Sequence, residues 1–148
     1  MTMTAMAAMT REQRCEAIAL AVAGDLVTLA EEILADTTVQ VQVLRAPTVG
    51  TVMLRARESV ENLVFNVGEA LVTEAFVSIG DYQGYAIVQG MERELALAGA
   101  ICDAAVEAEH PATPRILTAL YAAEARAATA RRAAWAEVAD TRVVFDEM

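Results

Sequence analysis

The sequence predicts an α+β fold, a single domain with an antiparallel sheet of about five strands packed against N-terminal and C-terminal helices. The spacing of apolar residues changes from about 3.6 residues to two near Thr38 and returns to 3.6 after Gly90. Short connections between the strands favour antiparallel neighbours. The chain has 148 residues, enough for one domain with its own core over residues 10–148.

The N-terminal part predicts a flexible tail and two helices. Residues 1–9 contain only Met, Thr and Ala, which is typical of a frayed tail. Thr10 and Gln13 have capping-box spacing, so a helix is expected after Thr10 and should end near Gly24. Asp25 is expected to cap the next helix, because its carboxylate accepts from free N–H groups. The apolar face of that helix comprises Leu26, Leu29, Ala30 and Ile33.

The alternating region predicts five strands. Pro47 and Gly50 are expected to separate the first two, because proline cannot donate to a ladder and glycine permits a tight return. Gly68 and Glu69 indicate a bulge or bend, and residues 80–84 are expected to form a hairpin loop. The predicted strands are residues 39–43, 52–57, 63–67, 71–79 and 85–89.

Two helices are predicted after Gly90, separated by a loop at His110. Thr113 is expected to be the N-cap of the second helix, followed by proline at its first position. That helix continues through an alanine-rich stretch, and residues 141–148 are expected to be extended and exposed. The apolar stripe of the first helix comprises Leu95, Ala98, Ile101, Cys102, Ala105 and Val106.

The charge of the chain excludes several classes of function. The formal net charge is −10, which argues against nucleic acid and anionic membrane surfaces as partners. All eleven basic residues are arginine, so P-loop, Schiff-base and general-base lysines are ruled out. Arginine suits carboxylate or phosphate binding, although the codon usage of a GC-rich genome explains the same bias.

The sequence indicates a cytoplasmic protein with no cofactor or metal site of its own. Cys15 and Cys102 match no metal-binding or redox spacing. The N-terminus lacks the basic and leucine-rich regions of a signal peptide, and no run of about 20 apolar residues is present. His110 is expected to be a solvated loop residue, and no catalytic residue is predicted.

Three arginines near the predicted strands form a candidate binding site. Arg55 and Arg57 point to one face and Arg45 lies near a strand end, so they suit an anionic ligand or a carboxylate-bearing partner. Asn66 and Glu69 flank the bend and are included in this site, although such groups often bind backbone. The alternative is that the arginines are ordinary exposed residues paired with Glu58, Glu61 or Glu69.

The C-terminal part offers a candidate partner surface. Trp135 is an isolated large residue on an alanine-rich helix, which is typical of an interface anchor or of an internal core residue. Phe145 lies in an apolar terminal segment that packs on its own domain or on another chain. The hydrophobic fraction of 56% suggests apolar surface covered by a partner, or simply an alanine-rich helical protein.

Short phrases with a fixed order and spacing run along the chain. They are Arg45-Ala46 with Gly50, the strand arginines at 55 and 57, F-N-x-G-E at 65–69, G-Y-x-x-V-x-G at 84–90, D-A at 103–104 and R-V-x-F-x-x-M at 142–148. Together they resemble the PhnG subunit of the bacterial carbon–phosphorus lyase system. Two positions depart from the family pattern: Leu95 stands where the family usually has histidine, and Glu74 where it usually has arginine.

The resemblance implies an accessory subunit that works with PhnI-, PhnH- and PhnJ-like subunits. The complex would transfer the ribosyl triphosphate of ATP to a phosphonate with loss of adenine, and the PhnI-like subunit would carry the catalytic residues. This assignment predicts that the chain expressed alone aggregates or self-associates, and that it gains solubility when it is co-expressed with its PhnI-like partner. The alternative function is a free-standing homo-oligomeric module that binds a small anion through Arg45, Arg55 and Arg57.

Overall fold

The computed structural model describes residues 8–143, which have an α+β fold with four helices and one three-stranded antiparallel sheet. The strands are ordered β1-β2-β3, so β1 and β3 are the two edges of the sheet. Across residues 8–143 no helix combines the length and the apolar content needed to cross a membrane. The elements are α1 (Arg11–Leu20), α2 (Ala23–Ala35), β1 (Val41–Arg57), β2 (Val64–Ile79), β3 (Tyr82–Gln89), α3 (Arg93–Glu107) and α4 (Thr113–Ala139).

The prediction of five strands is wrong, because two expected breaks lie inside continuous strands. Pro47 lies within β1, where an edge strand tolerates the missing N–H and the register is irregular between Arg45 and Thr48. Gly68 lies within β2 at the predicted bulge, seen as a register shift between Leu54 and Arg55. The predicted loop at residues 80–84 is also too long, because β3 already begins at Tyr82.

The core lies between one face of the sheet and the helices. α3 contacts all three strands, and its predicted apolar stripe is buried from Leu95 to Ala105. Gly84 permits this close approach, since a Cβ atom there would lie 2.1 Å from the Ala100 carbonyl oxygen. The core face of β2 comprises Thr73, Ala75, Val77 and Ile79, whereas Leu71, which the alternation also predicts on this face, is 42% exposed.

The N-terminal helices follow the sequence prediction with three corrections, the first being that α1 ends at Leu20 and that Gly24, the expected end of this helix, lies inside α2. The capping box between Thr10 and Gln13 is present in full. Met9, assigned to the tail, is instead buried in the core. Asp25 does not cap α2: the N-cap is Val22, and Asp25 lies in the first turn, where its charge still favours the helix dipole.

α4 is packed at its start and exposed at its end. Its N-cap is Ala112, one residue before the predicted Thr113. The buried residues of α4 are Ile116, Leu120 and Ala123, all in its first half. Every residue from 129 to 139, a segment called here the α4 end, is exposed.

Candidate functional site: the projecting hairpin

Residues 51–71 form a hairpin that projects from the domain, called here the hairpin arm. β3 pairs only with Val72–Ile79, so the sheet has two strands beyond that point. No residue of the arm is buried. At a rise of about 3.3 Å per residue, the seven residues of β1 in the arm span roughly 20 Å.

The strand register gives the arm one apolar face. Residues directly opposite in an antiparallel pair have side chains on the same side of the ribbon. Val52 lies opposite Ala70, Leu54 opposite Gly68, and Ala56 opposite Phe65. Leu54 is 47% exposed and Phe65 49%. The apolar arm face therefore comprises Val52, Leu54, Ala56, Phe65, Gly68 and Ala70.

The opposite face of the arm brings together four residues of the site predicted from the sequence. Arg55 lies opposite Asn66, Arg57 opposite Val64, and Met53 opposite Glu69. Alternation along β1 places Arg55 and Arg57 on the same side. This polar arm face therefore comprises Met53, Arg55, Arg57, Val64, Asn66 and Glu69.

Backbone N–H groups of the turn at the tip of the arm bind the carboxylate of Glu58. Glu58 accepts backbone N–H groups from Val60 at 2.8 Å, Glu61 at 2.6 Å and Leu63 at 3.2 Å, and these bonds lower its pKa. Arg57 donates from Nη1 to a backbone carbonyl of the turn at 3.0 Å. Within residues 8–143 neither Arg55 nor Arg57 forms an ion pair, so the alternative pairing with Glu58, Glu61 or Glu69 is not observed for these two.

Arg45 is separate from the other two arginines. Nine residues of β1 lie between Arg45 and Arg55, so the two are separated by roughly 30 Å of strand. Arg45 instead forms an ion pair with Glu74, which also accepts from the Tyr85 hydroxyl at 3.0 Å. The hydrogen bond from Arg45, and after it the one from the Tyr85 hydroxyl, lowers the pKa of Glu74. Burial, together with the hydrogen bond to Glu74, raises the pKa of Tyr85 to about 12. The three arginines therefore do not form one site.

The other predicted partner residues lie on or beyond the α4 end. Trp135 is 71% exposed, which excludes a place in the internal core. Phe145 lies outside the described residues. Trp135 is therefore available to another chain, on a projection separate in sequence from the hairpin arm.

His110 is mostly buried and joins two helices, contrary to the prediction of a solvated loop residue. Its Nε2 lies 3.2 Å from Oδ2 of Asp36, the C-cap residue of α2. Its Nδ1 accepts the N–H of Ala112, the N-cap residue of α4, at 3.0 Å. A cavity of about 550 Å³ lies beside it. Because both ring nitrogens are engaged, His110 has a structural role here.

Sequence reasoning missed a buried polar cluster between α1, β3 and α3. Asp103 accepts from Nε of Arg14 at 2.8 Å and from the backbone N–H of Tyr85 at 3.1 Å. Arg14 also donates to the carbonyl oxygen of Met9 at 3.0 Å and pairs with Glu107. The sequence does contain a signal: Arg14 is three residues before the buried Ala17, on the apolar face of α1.

Comparison with known proteins agrees with the phrases noted in the sequence. No curated protein matches the chain. A family profile described as phosphonate metabolism protein PhnG matches residues 9–148, nearly the whole chain. The chain therefore belongs to the PhnG family of phosphonate metabolism proteins.

Proposed function

We propose that this chain is an accessory subunit of a carbon–phosphorus lyase core complex. In the proposed reaction an oxygen of the phosphonate bonds to ribose C1 of ATP while the bond from C1 to N9 of adenine breaks. Adenine leaves with the bonding electron pair and takes up a proton. With methylphosphonate as the substrate, the product is α-D-ribose 1-methylphosphonate 5-triphosphate. Membership of the PhnG family supports the link to phosphonates, and the hairpin arm supports the role of a subunit.

The hairpin arm has the properties of a surface that another chain covers. A two-stranded ribbon is marginally stable in water, and its edges expose unpaired backbone groups. Full burial of an exposed Leu or Phe side chain contributes about 1.5–3 kcal/mol. Leu54 and Phe65 are about half exposed, so a partner has roughly half of that to gain from each. We therefore assign the apolar arm face as the main contact with the partner.

The proposal places the catalytic residues in the partner. Among residues 8–143 the buried polar groups are engaged with one another, as the contacts of Asp103 and His110 illustrate. A PhnI-like subunit is the proposed site of the transfer, with PhnH- and PhnJ-like subunits in the same complex. The use of ATP places this proposed assembly in the cytoplasm.

The alternative of a free-standing anion-binding module has less support. It requires Arg45, Arg55 and Arg57 to converge on one ligand. Arg45 is paired with Glu74, and a span of roughly 30 Å of strand separates it from Arg55.

Co-expression with a tagged PhnI-like protein tests the proposal. The wild-type chain is expected to co-purify, and the variant Leu54→Glu/Phe65→Glu is expected to lose capture because two charges enter the apolar arm face. Leu20→Glu is a matched control, since Leu20 is 44% exposed on α1, away from the arm. Circular dichroism confirms that each variant is folded.

Activity gives the second measurement. The assembled complex is expected to release adenine from ATP when methylphosphonate is present, and release should fall when this chain is omitted. A wild-type chain that ignores the tagged partner, or a complex equally active without this chain, would contradict the proposal.

A further inference from the structure

An apolar groove with an acidic rim lies between α2 and α3. It has a volume of about 190 Å³. Glu31 and Glu94 are exposed at the groove, and neither forms an ion pair within residues 8–143. The apolar lining comprises Val27, Ala30, Leu34, Leu97, Ala98 and Ile101. The groove therefore suits an apolar side chain that is accompanied by positive charge.

The α4 end has the complementary character. Trp135 is 71% exposed and Val138 57%, and the two lie three residues apart on one side of the helix. Arg131 precedes Trp135 by one helical turn, and Arg132 directly follows Arg131 in the sequence. The α4 end contains two arginines and one carboxylate, Glu137, whereas the whole chain has 21 acidic and 11 basic residues. The α4 end is thus a basic and apolar segment of an acidic protein.

The α4 end cannot fill the groove of its own chain. α4 is one continuous helix whose first half is packed in the core, and its last eleven residues are exposed. A continuous helix does not fold back on itself, so an α4 end that enters the groove must come from another copy of the chain.

We propose that this chain forms a two-fold symmetric homodimer in which the α4 end of each copy lies in the groove between α2 and α3 of the other. Trp135 enters the apolar groove, and Arg131 and Arg132 pair with Glu31 and Glu94 at its rim. Opposite charges at the two surfaces favour this pairing over contact of either surface with itself. Reciprocal docking uses both grooves and closes the assembly, whereas one-sided docking would leave an open chain.

This interface is distinct from the hairpin arm. The arm lies at residues 51–71, and neither the groove nor the α4 end includes any of them. The dimer therefore stands or fails independently of the proposed partner subunit.

Charge reversal on each surface separately, followed by mixing, tests the dimer. Analytical ultracentrifugation of the wild-type chain is expected to give twice its mass of 15.8 kDa. The helix variant Arg131→Glu/Arg132→Glu and the groove variant Glu31→Arg/Glu94→Arg are each expected to be monomeric, because both interfaces then carry like charges. In a mixture of the two variants both interfaces regain opposite charges, so an equimolar heterodimer is expected.

A control and an optical signal complete the test. The variant Glu12→Arg/Glu16→Arg makes the same change of charge as the groove variant, but on the exposed side of α1, and is expected to remain dimeric. Trp135 is the single tryptophan of the chain, so its emission is expected to shift to longer wavelength as the wild-type dimer is diluted. The proposal is overturned by a monomeric wild type at micromolar concentration, by a dimeric single-surface variant, or by a mixture that stays monomeric.

Discussion

Replacing Asp103 tests whether the buried polar cluster holds α1, β3 and α3 together. The side chains of Asp103 and Arg14 are 2% and 5% exposed. Asp103→Ala removes the acceptor for Nε of Arg14 and for the backbone N–H of Tyr85. Arg14 then remains buried with only Glu107 and the Met9 carbonyl as partners.

The expected loss of stability follows from this geometry. Removing one partner of a buried ion pair costs about 3–5 kcal/mol. Because Arg14 keeps two other contacts, we expect the lower part of this range, about 3 kcal/mol. A domain of this size loses about 2–4 °C in melting temperature for each kcal/mol, so the midpoint should fall by roughly 10 °C.

Urea unfolding provides the measurement, with the slope of the transition as a check that the unfolded state is unchanged. A double-mutant cycle of Asp103→Ala with Arg14→Met should show a coupling free energy of at least about 1 kcal/mol, because each single change leaves the other group buried without its partner. Glu16→Ala on the exposed side of α1 should change the free energy of unfolding by less than about 0.5 kcal/mol. A loss of less than about 1 kcal/mol in Asp103→Ala, or additive effects of the two changes, would refute a stabilising role for this buried pair.

Two further predictions concern packing around α3. Gly84→Ala should destabilise the fold by about 3 kcal/mol, because the new Cβ would lie 2.1 Å from the Ala100 carbonyl oxygen and displace the helix. Gly50→Ala meets nothing within 4 Å and should change stability by less than about 1 kcal/mol in the same urea assay, so equal losses would contradict the argument. Burial raises the pKa of Cys102 to about 12, so in a Cys15→Ser variant the thiol should not react with a chromogenic disulfide at pH 8 until urea unfolds the chain. A rapid reaction of the native variant would show that Cys102 is accessible.

Local patterns predicted the helices well because neighbouring residues determine them. The capping box at Thr10 and the apolar stripe of α3 depend on contacts within one or two turns. The strand count failed because the effect of Pro47 depends on its place in the sheet. A missing N–H would break a central strand, but β1 is an edge strand, and only the complete topology shows this.

The candidate site was predictable only where its residues are close in sequence. The spacing of Arg55 and Arg57 indicates a shared face, whereas the position of Asn66 opposite Arg55 depends on the bulge near Gly68. The partners of Arg45 and Arg14 are 29 and 89 residues away in the chain, so the fold alone brings them together.

Selection for binding to a partner can act on the hairpin arm, while selection for stability acts on the core. Its residues contribute nothing to the buried core, so substitutions there leave the domain free to fold. The surface that meets another chain can therefore change in step with that chain, while the residues between the sheet and α3 stay the same. In evolutionary terms the arm can acquire a new partner without the loss of stability that a change in the core would bring.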